Sequence, residues 1–516
     1  MAEELTGWLL DVYAGGSGLT LSLLEESGRR LLLDQSFPVS FYISGGASDL
    51  RSVCRWLKSQ PGRLRLSRVE RRDLFSGPLT VLEVEVQRPA DQPRLFQQLS
   101  RLYPSLTYYD ADIPLSLRYA ARCGVFPLAR VSARVEGNRL VSLAPLTSPW
   151  DLDPPYPPLR ILRLEPDCDP AHDEPGGMFL SYNGFRYHQP FAPARALLIN
   201  LRSILEREDP DLILTAWGDT WLLPHLLQMA KEEGLPLPLN RDSSGRIIRK
   251  AQRTYYAYGQ VIYRGAQVLL SGRWHIDVCN AVMYHDYGLE GILELARITG
   301  LPVQTVARVS PGTGISSMQI LTALRWGVLV PYHKQQAEAQ KSALDLLASD
   351  MGGMVYQPTI GLHADVAEVD FVSMYPSIMV RFNISPETVG QESPTAELIP
   401  ELALVVEQEH PGLVPRTLAP LLKKRLALKR RLADLPAWHP RRTSYKAYAS
   451  AHKWLLVTCF GYLGYKNARF GKIEAHEAVT AFGREVLLRA KETAEDMGFT
   501  VLHMYVDGLW VKKEGL

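Results

Sequence analysis

Two carboxylates stand where apolar strands would otherwise run on. Asp370 closes the start of EVDFVSMYPSIM (368–379), and Asp507 interrupts HMYVDGLWV (503–511). A carboxylate in apolar surroundings is costly unless a partner or a metal takes its charge. Two of them, brought together from different strands, can hold divalent ions for in-line phosphoryl transfer. Each also has a plainer reading: Asp370 as an N-cap or turn residue, Asp507 as half of an Asp-Gly hairpin turn. Between them the chain is strongly basic. From Arg416 to Lys472 there are fourteen Lys or Arg and one acid, Asp434. In LLKKRLALKRRL (421–432), Arg425 and Lys429 are four apart and share a helix face. Lys446 and Lys453, seven apart, do the same on a second helix. Aligned cations suit a triphosphate, whose oxygens need several fixed donors. A solvated pair of amphipathic helices would show the same pattern.

The surrounding sequence predicts the elements that must position these groups. Residues 418–435 and 444–458 read as two helices joined by PAWHPRRT, a helical hairpin. Tyr375-Pro376-Ser377 breaks the Asp370 strand and can open a helix, since Pro is tolerated in a first turn. A helix near 474–497 precedes a hairpin expected to turn at Asp507-Gly508. Upstream, residues 1 to about 130 alternate short β-like runs with turns. LTSPWDLDPPYPPL (146–159) reads as a linker, and an αβ-patterned segment follows to about 310. SPGTGISS (310–317) reads as a loop and KQQAEAQKSALDLLAS (334–349) as a helix. No internal repeat is visible.

Composition narrows the class. The 516 residues suffice for three or four domains, and 46% hydrophobic with 22% charged residues argues against bulk disorder or a coiled coil. No apolar run reaches membrane-spanning length, so no membrane partner is expected. The start lacks a signal-peptide pattern, and the five scattered cysteines have neither metal nor disulfide-framework spacing, so a reduced, cytoplasmic setting is expected. Net charge is only +2, but the lopsided basic stretch points to a polyanion.

Taken in order, these segments resemble a family B DNA polymerase. DFVSMYPSI is similar to the palm motif A of that family, and GGMVYQPTIGLHADVAEVDF (352–371) to its approach, paired glycines included. LLKKRLALKRRL resembles the first fingers helix. KWLLVTCFGYLGY (453–465) resembles motif B, EAHEAVTAFGRE the helix before motif C, and YVDG motif C. YYDADIPLSLRYAARCGVFPL (108–128) resembles the close of the N-terminal domain, so the likeness runs from about residue 8 to the end. The resemblance implies a multidomain α/β and α+β fold. Its parts would be a β-rich N-terminal domain (1–145, completed by part of 318–350), an RNase H-like exonuclease-type domain (155–310), a palm (351–415 and 463–516) and helical-hairpin fingers (416–462). A thumb is absent from these residues and could come from a separate chain.

The resemblance also implies roles. Asp370 and Asp507 would be catalytic and, with the Phe371 carbonyl, would hold two Mg²⁺ ions, for which Mn²⁺ can substitute. Tyr375 would sit under the incoming sugar and exclude a 2′-hydroxyl, where a core aromatic is the plainer reading. Arg425, Lys429 and Lys453 would hold the triphosphate, and Phe371, Ser373, Phe460 and Gly461 would line the nucleotide site. The partners would be primer-template DNA and deoxyribonucleoside triphosphates.

Several positions depart from the family pattern. Tyr505 replaces the first acid of motif C, and in motif B Val457 replaces an Asn and Phe460 a Tyr. In the exonuclease-type segment, RILRLEPD (160–167) has Pro166 between Glu165 and Asp167. Leu222 in TAWGDTWLLPH stands where an essential Asp belongs, Asp219 aligns with a non-catalytic position, and the third motif is missing. The expected activity is therefore DNA-templated DNA synthesis without proofreading. A catalytically inactive polymerase-like DNA-binding or scaffold protein is the alternative, and a stand-alone nuclease is the weakest reading.

Overall fold

The computed structural model describes residues 3–16, 18–257, 260–349 and 351–515. They form two compact units, one from 1–37 with 123–310 and the other from 38–122 with 311–516, so the first 145 residues contribute to both.

The first unit contains a closed five-stranded barrel of Glu3–Ala14, Leu19–Glu25, Arg30–Gln35, Arg139–Pro145 and Arg130–Glu136. It also contains a five-stranded sheet in the order Phe185–Pro190, Gly177–Tyr182, Ile161–Pro166, Leu212–Thr215, Trp274–Asp277. The first three strands pair antiparallel and the last three parallel. Leu212–Thr215 is buried at every residue, as expected of a central parallel strand covered on both faces. Helices Ala194–Arg207 and Leu223–Glu232 send Leu197, Leu201, Leu205, Leu223 and Leu226 into one core with Leu162, Leu164 and Leu180.

The second unit has a four-stranded sheet of Leu64–Asp73, Gly77–Val86, Val39–Ser44 and Thr107–Tyr109. Its second sheet is the one that matters for the two carboxylates. The order is Val355–Tyr356, Thr500–Tyr505, Gly508–Lys512, Val366–Asp370, antiparallel throughout. Helix Ile473–Asp496 packs on its two central strands. The helical hairpin is longer than the sequence suggested, Leu413–Asp434 and Arg442–Leu463.

Two expectations fail here. SPGTGISS is not a loop: helix Pro311–Trp326 begins at its proline, and Gly312 and Gly314 are buried in it. Pro at the first helical position and glycines that allow close packing mimic a loop in sequence. Of KQQAEAQKSALDLLAS, only Ala343–Ser349 is helical. Among the described residues no helix is long and apolar enough to cross a membrane.

Candidate active site

Asp370 and Asp507 are brought together by strand pairing. Asp370, the last residue of the edge strand, pairs with Gly508, the residue after Asp507. The Phe371 N–H donates to the Asp507 carbonyl at 2.8 Å, which ties the exit of one strand to the turn of the other. The turn differs from the expected one. Tyr505 pairs with Gly508, so Val506 and Asp507, not Asp507-Gly508, are its central residues. Val506 has φ of 54°, a left-handed conformation that a β-branched residue rarely adopts. Its N–H donates to Met354 O at 2.8 Å, and the Asp507 N–H donates to Tyr505 O at 2.7 Å. Strain of this kind persists only where neighbours over-determine it, and here three backbone hydrogen bonds do so.

Both carboxylates are exposed, as is every residue of Val366–Asp370, so the apolar burial that the sequence suggested around Asp370 is not found. Partial desolvation and the nearby Asp370 charge push the Asp507 carboxyl above its ordinary pKa. No ion pair to either carboxylate occurs among the described residues. Two hard oxygen donors, mutually repelling and without a cationic side chain, form a donor set that fits divalent ions.

The Tyr375 ring is held from several sides. Ser373, half-buried at φ 52°, turns the chain from the strand into helix Met374–Arg381, which carries Tyr375 and Pro376 in its first turn. Phe460 lies 4.6 Å from the Tyr375 ring, and His476 stacks on Phe460 at 4.1 Å. A Cβ on Gly353 would lie 3.0 Å from the Val506 methyls and 3.2 Å from the Tyr375 hydroxyl; the second of the paired glycines thus lets the tyrosine and the turn approach. Gly483 serves the ring in the same way, with Tyr375 Cε1 3.1 Å from where its Cβ would be. Arg484 beside it is buried and donates to Gly352 O at 2.6 Å and to Glu401 at 2.9 Å. Sequence reasoning missed His476, Gly483 and Arg484. A glycine inside a helical pattern, which costs about 1 kcal/mol against Ala, was the available signal.

The cations divide. Lys429 and Lys453 are exposed, on the first and second helix of the hairpin. Arg425 is half-buried, turned onto the second helix, where it donates to Ala449 O, and its Nε is buried without a partner. Burial lowers its pKa. Arg431 and Arg442 also fasten the two helices, to Tyr445 Oη and to the Leu432 and Leu435 carbonyls. Part of the basic stretch is therefore structural. Of the remaining expected nucleotide contacts, Gly461 is exposed with open space at its Cβ position, and Phe371 is half-buried. Val457 and Tyr505, the departures from the family pattern, are both exposed.

The exonuclease-type positions are differently occupied. Leu222 is fully buried in the apolar core of the first unit. Asp219 is buried in an ion pair with Arg308. Glu165 pairs with Arg163 and Arg186, and Asp167 with His188.

A family model described as DNA polymerase family B matches residues 304–508, a span that contains both Asp370 and Asp507. "DNA polymerase 2" of Aeropyrum pernix is 31% identical over 99% of this chain and 73% of its own length. "DNA polymerase 1" of Pyrococcus abyssi is 25% identical over 95% of this chain and 69% of its own. The fold is similar to that of the family B DNA polymerase of Pyrobaculum calidifontis, with a TM-score of 0.72 and 24% identity over 99% of this chain and 75% of that one. None of these matches supports a separate chain supplying a thumb. The two carboxylates thus both fall within the matched region, and the Aeropyrum likeness extends over nearly the whole sequence: the chain belongs to DNA polymerase family B.

Proposed function

We propose that this chain is a DNA-directed DNA polymerase that adds deoxyribonucleotides to a primer 3′ end by two-metal phosphoryl transfer. The observation that carries the reading is the unpaired carboxylate couple, Asp370 at a strand end and Asp507 in the adjoining turn. Family B polymerases use divalent ions. Such ions polarise the transferring phosphoryl group and lower the pKa of the attacking hydroxyl. Asp370 and Asp507 would hold them, with the Phe371 carbonyl assisting. Lys429 and Lys453 are free to meet triphosphate oxygens. Arg425 has donors left beyond the one given to Ala449, since a guanidinium carries five N–H groups. Ser373, Phe460 and Gly461 would border the nucleotide. The deciding experiment is primer extension with Mg²⁺ or Mn²⁺, using Asp370→Asn as the control. Extension that vanishes in the control supports the polymerase. A parent protein that binds primer-template without extending it would favour the inactive alternative, to which the exposed Tyr505 in place of an acid lends some weight.

Sugar selection would rest on Tyr375. Gly353, Gly483 and Phe460 hold the ring, so it cannot easily swing aside for a 2′-hydroxyl. Tyr375→Ala is expected to raise the ratio of ribonucleotide to deoxyribonucleotide incorporation. An unchanged ratio in an active variant would locate the gate elsewhere.

Proofreading is proposed to be absent. What supports this is an apolar Leu222 packed into the core and an Asp219 already committed to Arg308. End-labelled single-stranded DNA should stay full length with Mg²⁺ or Mn²⁺. Shortening that persists in Asp370→Asn but disappears in Glu165→Ala/Asp167→Ala would sink the claim.

A further inference from the structure

The second unit contains an open cleft of about 760 Å³, lined by none of the residues assigned above to polymerisation. Its volume falls in the range of small-molecule sites. Four elements distant in sequence supply its basic wall. Arg72 comes from strand Leu64–Asp73 and Trp326 from the end of helix Pro311–Trp326. Arg416 lies in the first turn of helix Leu413–Asp434, and Lys472 immediately precedes helix Ile473–Asp496. The strand is tied to the chain just after Trp326, since the Leu329 N–H donates to Arg72 O at 2.8 Å. The guanidiniums of Arg72 and Arg416 both lie over the Trp326 indole, 4.7 and 4.5 Å from the ring centre. A guanidinium laid on an aromatic face keeps its N–H edge free for an oxyanion.

These cations have donors to spare. Neither arginine forms an ion pair among the described residues. Arg416 commits its Nε to Pro411 O at 2.7 Å, and Lys472 commits one of its three N–H groups to Val389 O at 2.6 Å. The acids that share the cleft are differently placed. Arg72 attracts Glu387, yet that carboxylate is already spent: it accepts from the Leu413 N–H at 2.5 Å and from Ser385 Oγ at 2.6 Å. Glu407 accepts from the Glu409 and His410 N–H groups at 2.5 and 3.0 Å. Glu392 and Glu409 are exposed. A long polyanion laid across the cleft would also meet those carboxylates and be repelled, whereas a compact anion needs only the arginine side.

We propose that this cleft binds a compact oligophosphate anion, held by the N–H edges of Arg72 and Arg416 with Lys472 beside them. The triphosphate chain of a free nucleotide and an inorganic oligophosphate share that chemistry. The site stands apart from the carboxylate pair and does not require the chain to be catalytic. Arg416 and Lys472 open the helices that carry Lys429 and Gly483, so an occupant would brace both helix starts against the Arg72 strand.

The test is calorimetric titration of the full chain with sodium tripolyphosphate in EDTA, so that no metal bridges the two. A Lys429→Ala/Lys453→Ala background removes the triphosphate cations proposed above, and one-site binding should persist in it. Adding Arg72→Gln/Arg416→Gln to that background is expected to weaken binding by at least about 10-fold, through the loss of charge-assisted hydrogen bonds. Arg72→Lys/Arg416→Lys keeps the charge and loses the planar fork, and should cost at least about 3-fold. Trp326→Phe keeps a ring beneath the guanidiniums, so its affinity should stay within about 3-fold of the background. The change in tryptophan fluorescence on binding should disappear in that variant. Titration with dATP separates the two sources: equal or tighter binding than tripolyphosphate supports a nucleotide occupant, and weaker binding supports an inorganic one. The proposal is overturned by no binding in the background, by undiminished affinity in the Gln variant, or by a Lys variant as tight as the background. A fluorescence change that survives Trp326→Phe would place the anion elsewhere and overturn it too. So would displacement of tripolyphosphate by oligo(dT) at a lower phosphate concentration, which would make the cleft a nucleic-acid groove.

Discussion

Asp507→Asn is expected to abolish primer extension, by roughly 10³-fold or more, while the fold stays intact. A loss of that size is about 4 kcal/mol of transition-state stabilisation, a reasonable share for one of two carboxylate ligands in a two-metal site. The turn does not depend on the side chain. Its hydrogen bonds are Val506 N–H to Met354 O, Asp507 N–H to Tyr505 O and Phe371 N–H to Asp507 O, and Asn keeps all three. Stability should move slightly the other way. Desolvation and Asp370 raise the folded pKa of Asp507 above its unfolded value. The carboxylate therefore favours the fold most when protonated, and that contribution is lost as pH rises through the raised value. At neutral pH the charge opposes folding, so Asn should match the parent's urea midpoint or exceed it a little. Tyr505→Asp, which adds an acid on an exposed position beside the turn, should leave activity equal or higher with a lower metal requirement. If Asp507→Asn extends primers as well as the parent, Asp507 is a turn residue only and the two-metal assignment fails.

What the sequence made legible was local. Motif A announced itself because its strand, its proline and its tyrosine fall within a dozen residues, and the helical hairpin because its periodicity is long. Asp-Gly pointed to the right hairpin but the wrong central pair. The local preference for an Asp-Gly turn is about propensity, whereas the register here is set by Met354 and Phe371, far away in sequence. The basic stretch gave the correct helices but could not say which cations face solvent. Arg425 and Lys429 are one turn apart, yet one is fastened to Ala449 and the other is open. Arg484 was invisible because its partners, Gly352 and Glu401, lie 132 and 83 residues away. Such pairings are properties of the packed chain, and no window of sequence contains both ends.

The same reasoning gives the largest stability effect. Asp219→Ala is expected to destabilise the first unit by about 3–5 kcal/mol, the usual result of stranding one member of a buried ion pair. Asp219 Oδ1 accepts from the Val268 N–H at 2.8 Å and Arg308 Nη2 at 2.9 Å. Its Oδ2 accepts from Arg308 Nε and from Asn280 Nδ2, both at 2.8 Å. Arg308 is itself buried, with further bonds to the His275 and Gln304 carbonyls, so its charge cannot escape to water when Asp219 is removed. Burial alone would raise the Asp219 pKa, but the Arg308 hydrogen bonds and charge outweigh it and hold the carboxyl below its ordinary value. The sign follows: Asp219 contributes its full stability above the unfolded carboxylate pKa of about 4, and loses it as pH falls through the depressed folded value. Urea midpoints across that range should converge for parent and Asp219→Ala at the acid end. Asp219→Ala/Arg308→Met should recover much of the loss at neutral pH, because two matched apolar groups cost less than one stranded charge. A double variant no more stable than Asp219→Ala would mean that the Val268 and Asn280 contacts, not the ion pair, carry the site. It would also remove the reason for reading this nuclease-like position as a structural anchor built around Arg308.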